Sequence, residues 1–153
     1  MASRAYAVVM PSDPADPTVI RSLAVTAADV VAAVEADLTS DRETVLRVTP
    51  PFSGRMRARL HVRQEDESER SAQQLHVPPE RLLEPDPPQY PRPSETEDTL
   101  RSDPDREYTV ETHHEYHVER VEEWRAKLRK AICNRAAIET QSGRIDVEIH
   151  VLG

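Results

Sequence analysis

An alternating row of arginines is the feature of this sequence whose residue types and spacing best suit the binding of another molecule. In the run RMRARLHVR, residues 55–63, arginine recurs at every second position from 55 to 59, with apolar residues between. Alternate residues of a strand share one face and lie about 7 Å apart, so the run predicts a strand with guanidinium groups along one side. A guanidinium is a planar fork that binds phosphate or carboxylate through two hydrogen bonds. The residues expected to bind a partner, with the aromatic one as apolar anchor, are Phe52, Arg55, Arg57, Arg59 and Arg63.

The same row has an intramolecular alternative. The chain ends in a predicted hairpin whose last strand carries Asp146 and Glu148 at alternate positions. Opposite charges on adjacent strands of one sheet face pair with each other, so these carboxylates are candidate partners for the arginines. If the two strands are not adjacent, an external anion or an acidic protein is the expected partner instead. A helix capped by Ser53 is the competing structure for the run, because Arg, Met, Ala and Leu also favour helices.

A second basic group lies at the end of a long predicted helix. Residues 124–135 contain five basic residues and no acidic one. Joined to the arginine row, they would form a nucleic-acid-binding face; alone, they compensate the negative C-terminal end of the helix dipole. The net charge of −8 and the near absence of aromatic residues around the row weigh against nucleic acid. The candidate residues are Arg125, Lys127, Arg129 and Lys130, followed by Arg135.

Three histidines within five residues are the weak candidates for a metal site. His113, His114 and His117 have spacings of three and four, which would bring two imidazoles together on a helix. The run HHEYH is not the HExxH zinc motif, and His114 and His117 continue the apolar stripe of Val121 and Trp124. The sequence contains no nucleophile elbow and no glycine-rich phosphate loop, so we expect neither a catalytic residue nor a cofactor. A His-dependent metal enzyme is the alternative to a binding module.

The hydrophobic patterns predict a small α+β domain that positions these groups. Four or five strands form a mixed sheet, and helices over Ala27–Asp37 and Val110–Ala136 cover it. We expect a flexible tail over 1–16 and a single domain over 17–153. The acidic, proline-rich range 64–105 predicts a mobile insertion or linker within that domain. The order of the strands cannot be derived from the sequence.

Composition restricts the class of protein. The chain has 153 residues, a net charge of −8, and 18 arginines against two lysines, Lys127 and Lys130. Loss of strongly hydrated lysine together with an excess of acid is typical of a very salty cytoplasm, whereas a GC-rich genome is the alternative cause. The one cysteine, Cys133, cannot form an internal disulfide, and no apolar stretch is long enough to cross a membrane. We therefore expect a cytoplasmic protein that makes no membrane contact.

Two runs resemble a known kind of protein. The runs TVLRVTPPFSGRMRARLHV, Thr44–Val62, and ETHHEYHVERVEEWR, Glu111–Arg125, resemble an uncharacterised family of small acidic haloarchaeal proteins, a domain of unknown function. The resemblance implies a salty cytoplasm. It implies no activity, cofactor or residue role. The hypothesis that follows from the residues is a non-enzymatic module that binds a protein partner through Phe52–Arg63, with a nucleic-acid-binding accessory protein as the alternative.

Overall fold

The computed structural model describes residues 15–64 and 73–153. Contacts divide the chain into two compact units. The sheet unit comprises the described residues up to Leu82 together with Cys133–Gly153, and the helical unit comprises Leu83–Ile132. Strands dominate the first unit and helices the second. The predicted α+β class is therefore confirmed.

The sheet unit contains a mixed four-stranded sheet. Its strands are β1 (Ser22–Thr26), β3 (Arg55–Arg57), β6 (Arg135–Thr140) and β7 (Gly143–Leu152), in the order β3-β1-β7-β6. β1 is parallel to both of its neighbours, whereas β6 and β7 form the predicted antiparallel hairpin. Gly143 closes that hairpin with φ of +121°, a conformation that other residues adopt only with strain.

A second, three-stranded sheet in the same unit was not predicted. It is antiparallel, in the order β4-β2-β5, and consists of β2 (Thr44–Val48), β4 (Arg59–Val62) and β5 (Leu75–Val77). The central place of β2 agrees with its sequence, because Val45, Leu46 and Val48 supply apolar side chains to both faces.

The first helix, α1 (Ala27–Thr39), follows β1 directly and extends two residues beyond its predicted end. The Thr26 hydroxyl accepts a hydrogen bond from the amide of Asp29 at 3.0 Å and so caps the helix. Asp29 does not complete a capping box; its carboxylate accepts a hydrogen bond from the Leu60 amide of β4 at 3.2 Å. Before β1, Asp16 caps a 3-10 turn over Pro17–Val19.

The helical unit consists of α2 (Pro93–Arg101) packed on α3 (Val110–Lys130). Leu100, Val121 and Leu128 are buried, and the Trp124 indole donates a hydrogen bond to the carbonyl of Pro88 at 2.9 Å. The predicted end of the long helix at Ala136 is wrong. Ala131 caps the helix, Ile132 forms a bridge with Leu83, and Arg135 begins β6.

The range 64–105, predicted as a mobile insertion, contains more regular structure than its composition indicates. It holds β5, a 3-10 turn over Pro79–Leu82 and α2, and Thr96 and Leu100 of α2 are 5% and 2% exposed. Residues 65–72 of this range, like residues 1–14 of the predicted tail, lie outside the described residues. Mobility of the insertion stays a prediction.

Candidate binding surface

The arginines at 55, 57 and 59 lie along one exposed stretch of the sheet unit, which we name the arginine strip. All three are exposed, while Ala58 between them is fully buried. The predicted period of two is therefore seen in the exposure, but the single strand is wrong. The Ala58 amide donates to the Ala24 carbonyl at 3.0 Å, after which the chain leaves the first sheet and joins the second as β4. Arg55 and Arg57 thus belong to one sheet and Arg59 to the other.

The carboxylates of β7 do not lie on the strand next to the arginine strip. β1 separates β3 from β7, and Ser22 is in register with both Arg55 and Glu148. Two strand spacings separate those partners by about 10 Å. Within 15–64 and 73–153, no carboxylate oxygen lies within 4.0 Å of a guanidinium nitrogen of the strip.

Two residues expected to bind the partner have other roles. Phe52 is only 7% exposed and so contributes to the core, which means that it cannot serve as a surface anchor in this conformation. Arg63 forms an ion pair with Glu43 at 3.2 Å, and its amide donates to the Glu43 carbonyl at 2.8 Å. Arg63 and Glu43 are neighbours because β4 pairs antiparallel with β2, a register that the pattern of 55–63 does not reveal.

The register of the second sheet creates a basic face that sequence reasoning missed. Arg47 of β2 lies directly between Arg59 of β4 and His76 of β5. His61, two residues beyond Arg59, stacks on His76 with ring centroids 5.5 Å apart and planes inclined by 20°. We name these four residues the Arg–His face. Arg47 stands alone among apolar residues in the sequence, so only the strand register reveals its neighbours.

The second basic group is divided between the units. Arg125 forms an ion pair with Glu122, one turn earlier on α3, while Lys127, Arg129 and Lys130 are exposed. Arg135 belongs to β6 of the sheet unit, in register with Glu148. The basic residues of α3 stand in its last turns, where they compensate the helix dipole.

A comparison with protein-family models identifies the chain. The model of a domain of unknown function, DUF8009, matches residues 10–153. The chain belongs to this family. A search of curated proteins and a search of solved structures both found no match. No helix among the described residues has the length and apolar character needed to span a membrane.

Two histidines of this DUF8009 chain contact a neighbouring helix. The Thr96 hydroxyl of α2 lies 2.9 Å from Nε2 of His113 and 3.0 Å from Nδ1 of His117 on α3. His113 and His117 therefore share the inner face of α3, whereas His114, predicted to lie on the apolar stripe, is exposed. Burial, followed by the charges of His113 and His114, lowers the pKa of His117. The described ranges contain no group of three or more His, Cys, Asp or Glu residues arranged to hold a metal ion.

Proposed function

We propose that this domain is a non-enzymatic interaction module that binds an acidic segment of a protein partner through the arginine strip. One observation carries the proposal: Arg55, Arg57 and Arg59 are exposed and no described carboxylate contacts them. Other arginines of the chain, such as Arg63 and Arg144, lie beside a glutamate. Guanidinium groups left without an internal acid are available for charge-assisted hydrogen bonds to carboxylates of another chain.

An acidic protein segment suits the strip better than nucleic acid does. Proteins that bind single strands combine positive charge with aromatic side chains on which bases stack. Phe52, the one aromatic residue of Phe52–Arg57, is buried, so Arg55 and Arg57 have no exposed phenyl ring of their own segment beside them. The spacing of about 7 Å between alternate residues also matches carboxylates at alternate positions of an extended peptide.

A binding comparison between two matched double variants tests the proposal. The probes are a fluorescent oligoglutamate peptide and a single-stranded DNA oligonucleotide. Arg55→Gln/Arg57→Gln removes two charges of the strip, and Arg42→Gln/Arg81→Gln removes two charges from exposed arginines elsewhere in the sheet unit. We expect the strip variant to bind the peptide about tenfold more weakly than the native protein, and the control variant to stay within about twofold.

The outcomes separate the two functions. If peptide binding weakened equally in both variants, net charge alone would attract the peptide, and the arginine strip would not be the binding site. Tighter binding of DNA than of the peptide, lost in the strip variant, would favour a nucleic-acid-binding protein instead. Thermal unfolding of both variants shows whether a lost affinity comes from a lost fold.

We further propose that the protein functions in a cytoplasm of high salt concentration. This is supported by the net charge of −8, by the 18 arginines against two lysines, and by the resemblance of Thr44–Val62 and Glu111–Arg125 to haloarchaeal sequences. Molar KCl screens the repulsion among the excess acids. We expect the unfolding temperature to rise with KCl concentration; a fall would contradict this part of the proposal.

A further inference from the structure

We propose that the Arg–His face of the second sheet binds a phosphate group of a small molecule. This site goes beyond the proposed function, because it lies on a different sheet from Arg55 and Arg57 and takes a different ligand. The two surfaces share only Arg59.

The geometry places Arg47 and Arg59 side by side on two adjacent strands, with His76 on the third strand. Arg47 is directly opposite Arg59 on one side and His76 on the other. Side chains at opposite positions of an antiparallel pair have Cβ atoms about 4.5–5.5 Å apart. The stacked pair of His61 and His76 adds two imidazoles on the same face. Two guanidinium groups therefore lie on adjacent strands, with two stacked imidazole rings next to them on the same face.

Such an arrangement is unfavourable unless an anion accompanies it. Like charges directly opposite each other destabilise a pair of strands. Among the described residues no carboxylate lies within 4.0 Å of the Arg47 or Arg59 guanidinium; Glu43, just before β2, is paired with Arg63, and the Asp29 carboxylate accepts from the Leu60 amide. A bound anion would replace the missing carboxylate.

The number and type of donors favour phosphate over a carboxylate. One arginine fork satisfies a carboxylate, which has two oxygens. Phosphate presents more acceptor oxygens and up to two negative charges, which the two guanidinium forks of Arg47 and Arg59 can share. Arg47 is only partly exposed, on the central strand, so its stem has less freedom to lose on binding.

The test is a titration followed by NMR of the histidine ring signals. Inorganic phosphate and glycerol 3-phosphate are the two probes, added at constant ionic strength with chloride as the balancing anion. We expect saturable shifts of the His61 and His76 signals. His114 and His150, both exposed and outside the Arg–His face, serve as internal references that stay unshifted. Saturation with the ester but not with inorganic phosphate would identify a phosphorylated metabolite as the source of the group.

Matched variants assign the effect to the face. Arg47→Gln should weaken phosphate binding about tenfold, whereas Arg63→Gln, on the same sheet but paired with Glu43, should change it by less than about twofold. If Arg47→Gln does not fold, the exposed Arg59→Gln provides the same comparison. Arg55→Gln/Arg57→Gln should leave phosphate binding intact, so a failure here is distinct from a failure of the proposed function.

Four results would overturn the inference. The first is absence of saturation with both probes. The second is an equal shift of all histidine signals, which indicates a general ionic effect. The third is an equal loss of affinity in the Arg47 and Arg63 variants. Binding of the DNA oligonucleotide at the face without binding of either small probe would also overturn it, because the ligand would then be a macromolecule.

Discussion

Four arginines of the helical unit and four of the sheet unit differ in whether a described carboxylate of the chain contacts them. In the helical unit, four arginines each form an ion pair with a carboxylate within 4.0 Å; they are Arg101, Arg106, Arg120 and Arg125. Three of them also lie over a tyrosine ring; Arg101, for example, is 3.6 Å from the centroid of Tyr108. In the sheet unit, Arg47, Arg55, Arg57 and Arg59 have no carboxylate within that distance among the described residues.

The difference teaches that arginine content alone does not identify a binding surface. On a helix, a glutamate three or four residues away pairs with an arginine locally, as Glu97 does with Arg101. The segment 53–63 contains no acid, so any partner for its arginines must come from elsewhere. The absence of nearby acids, rather than the number of arginines, distinguishes the strip.

The largest expected effect concerns Phe52, which precedes the strip. Phe52→Ala should lower the free energy of unfolding by about 3–5 kcal/mol, because it leaves a cavity in the sheet unit. Urea denaturation measures this, with Phe52→Leu as the control that keeps most of the apolar volume and costs less. If Phe52→Ala left the free energy of unfolding nearly unchanged but lost peptide binding, Phe52 would be a surface anchor for the partner and not a core residue.

An intermediate effect concerns Thr96, which contacts two histidines of the helical unit. Thr96→Val removes the hydroxyl that both rings share and should cost about 1 kcal/mol, whereas Thr96→Ser keeps the hydroxyl and should cost less. Equal destabilisation by Val and Ser would show that the hydroxyl contributes nothing. Urea denaturation at neutral pH makes the comparison.

The burial of His117 gives the helical unit a pH dependence. The pKa of His117 is lowered in the folded protein, chiefly by burial, so the unfolded chain binds the proton more readily. Stability should therefore fall as the pH drops from about 7 through the unfolded value near 6.5 towards the lower folded pKa. In His117→Gln this part of the fall should disappear. An unchanged pH profile in that variant would contradict the assignment.

The smallest expected effect is a difference in stability between a paired arginine of the helical unit and an arginine of the strip. Arg120 lies 2.8 Å from Glu123 and 4.9 Å from the Tyr116 ring centroid, so Arg120→Gln should cost about 0.5–1 kcal/mol. Arg57→Gln should change the free energy of unfolding by less than about 0.5 kcal/mol. Chemical denaturation at low salt compares them. An Arg57 variant as costly as the Arg120 variant would show that the strip has a structural partner.

The elements predicted correctly are those whose signals are local. α1 has its cap and its apolar spacing within thirteen residues, and the β6–β7 hairpin has alternating residues around a glycine turn. The break between strands at Ala58 could not be predicted, because the alternating pattern of 55–63 is continuous. Pairing of β3 with β1 and of β4 with β2 places the two halves of this run in different sheets. For the same reason Arg47 was not recognised as a neighbour of Arg59.

The long helix was predicted, but the face on which its histidines lie was not. The spacing of α3 allows either His114 or His113 to share a face with His117. His113, and not His114, lies against α2, because its ring contacts the Thr96 hydroxyl, seventeen residues away in sequence. Thr96 lies in a range whose composition predicts no packed structure, so nothing in the sequence indicated the contact.

Arginine-selective labelling with a 1,2-dicarbonyl reagent, followed by mass spectrometry, tests whether the arginine strip lacks an internal carboxylate partner. Arg101 is the reference, because its hydrogen bond to Glu97 raises the pKa of its guanidinium and disfavours the neutral form that reacts. We predict that Arg55, Arg57 and Arg59 are labelled faster than Arg101 and Arg120 in the native protein. Slow labelling of the strip that becomes fast only on unfolding would contradict this, because carboxylates of the chain itself would then already bind these groups.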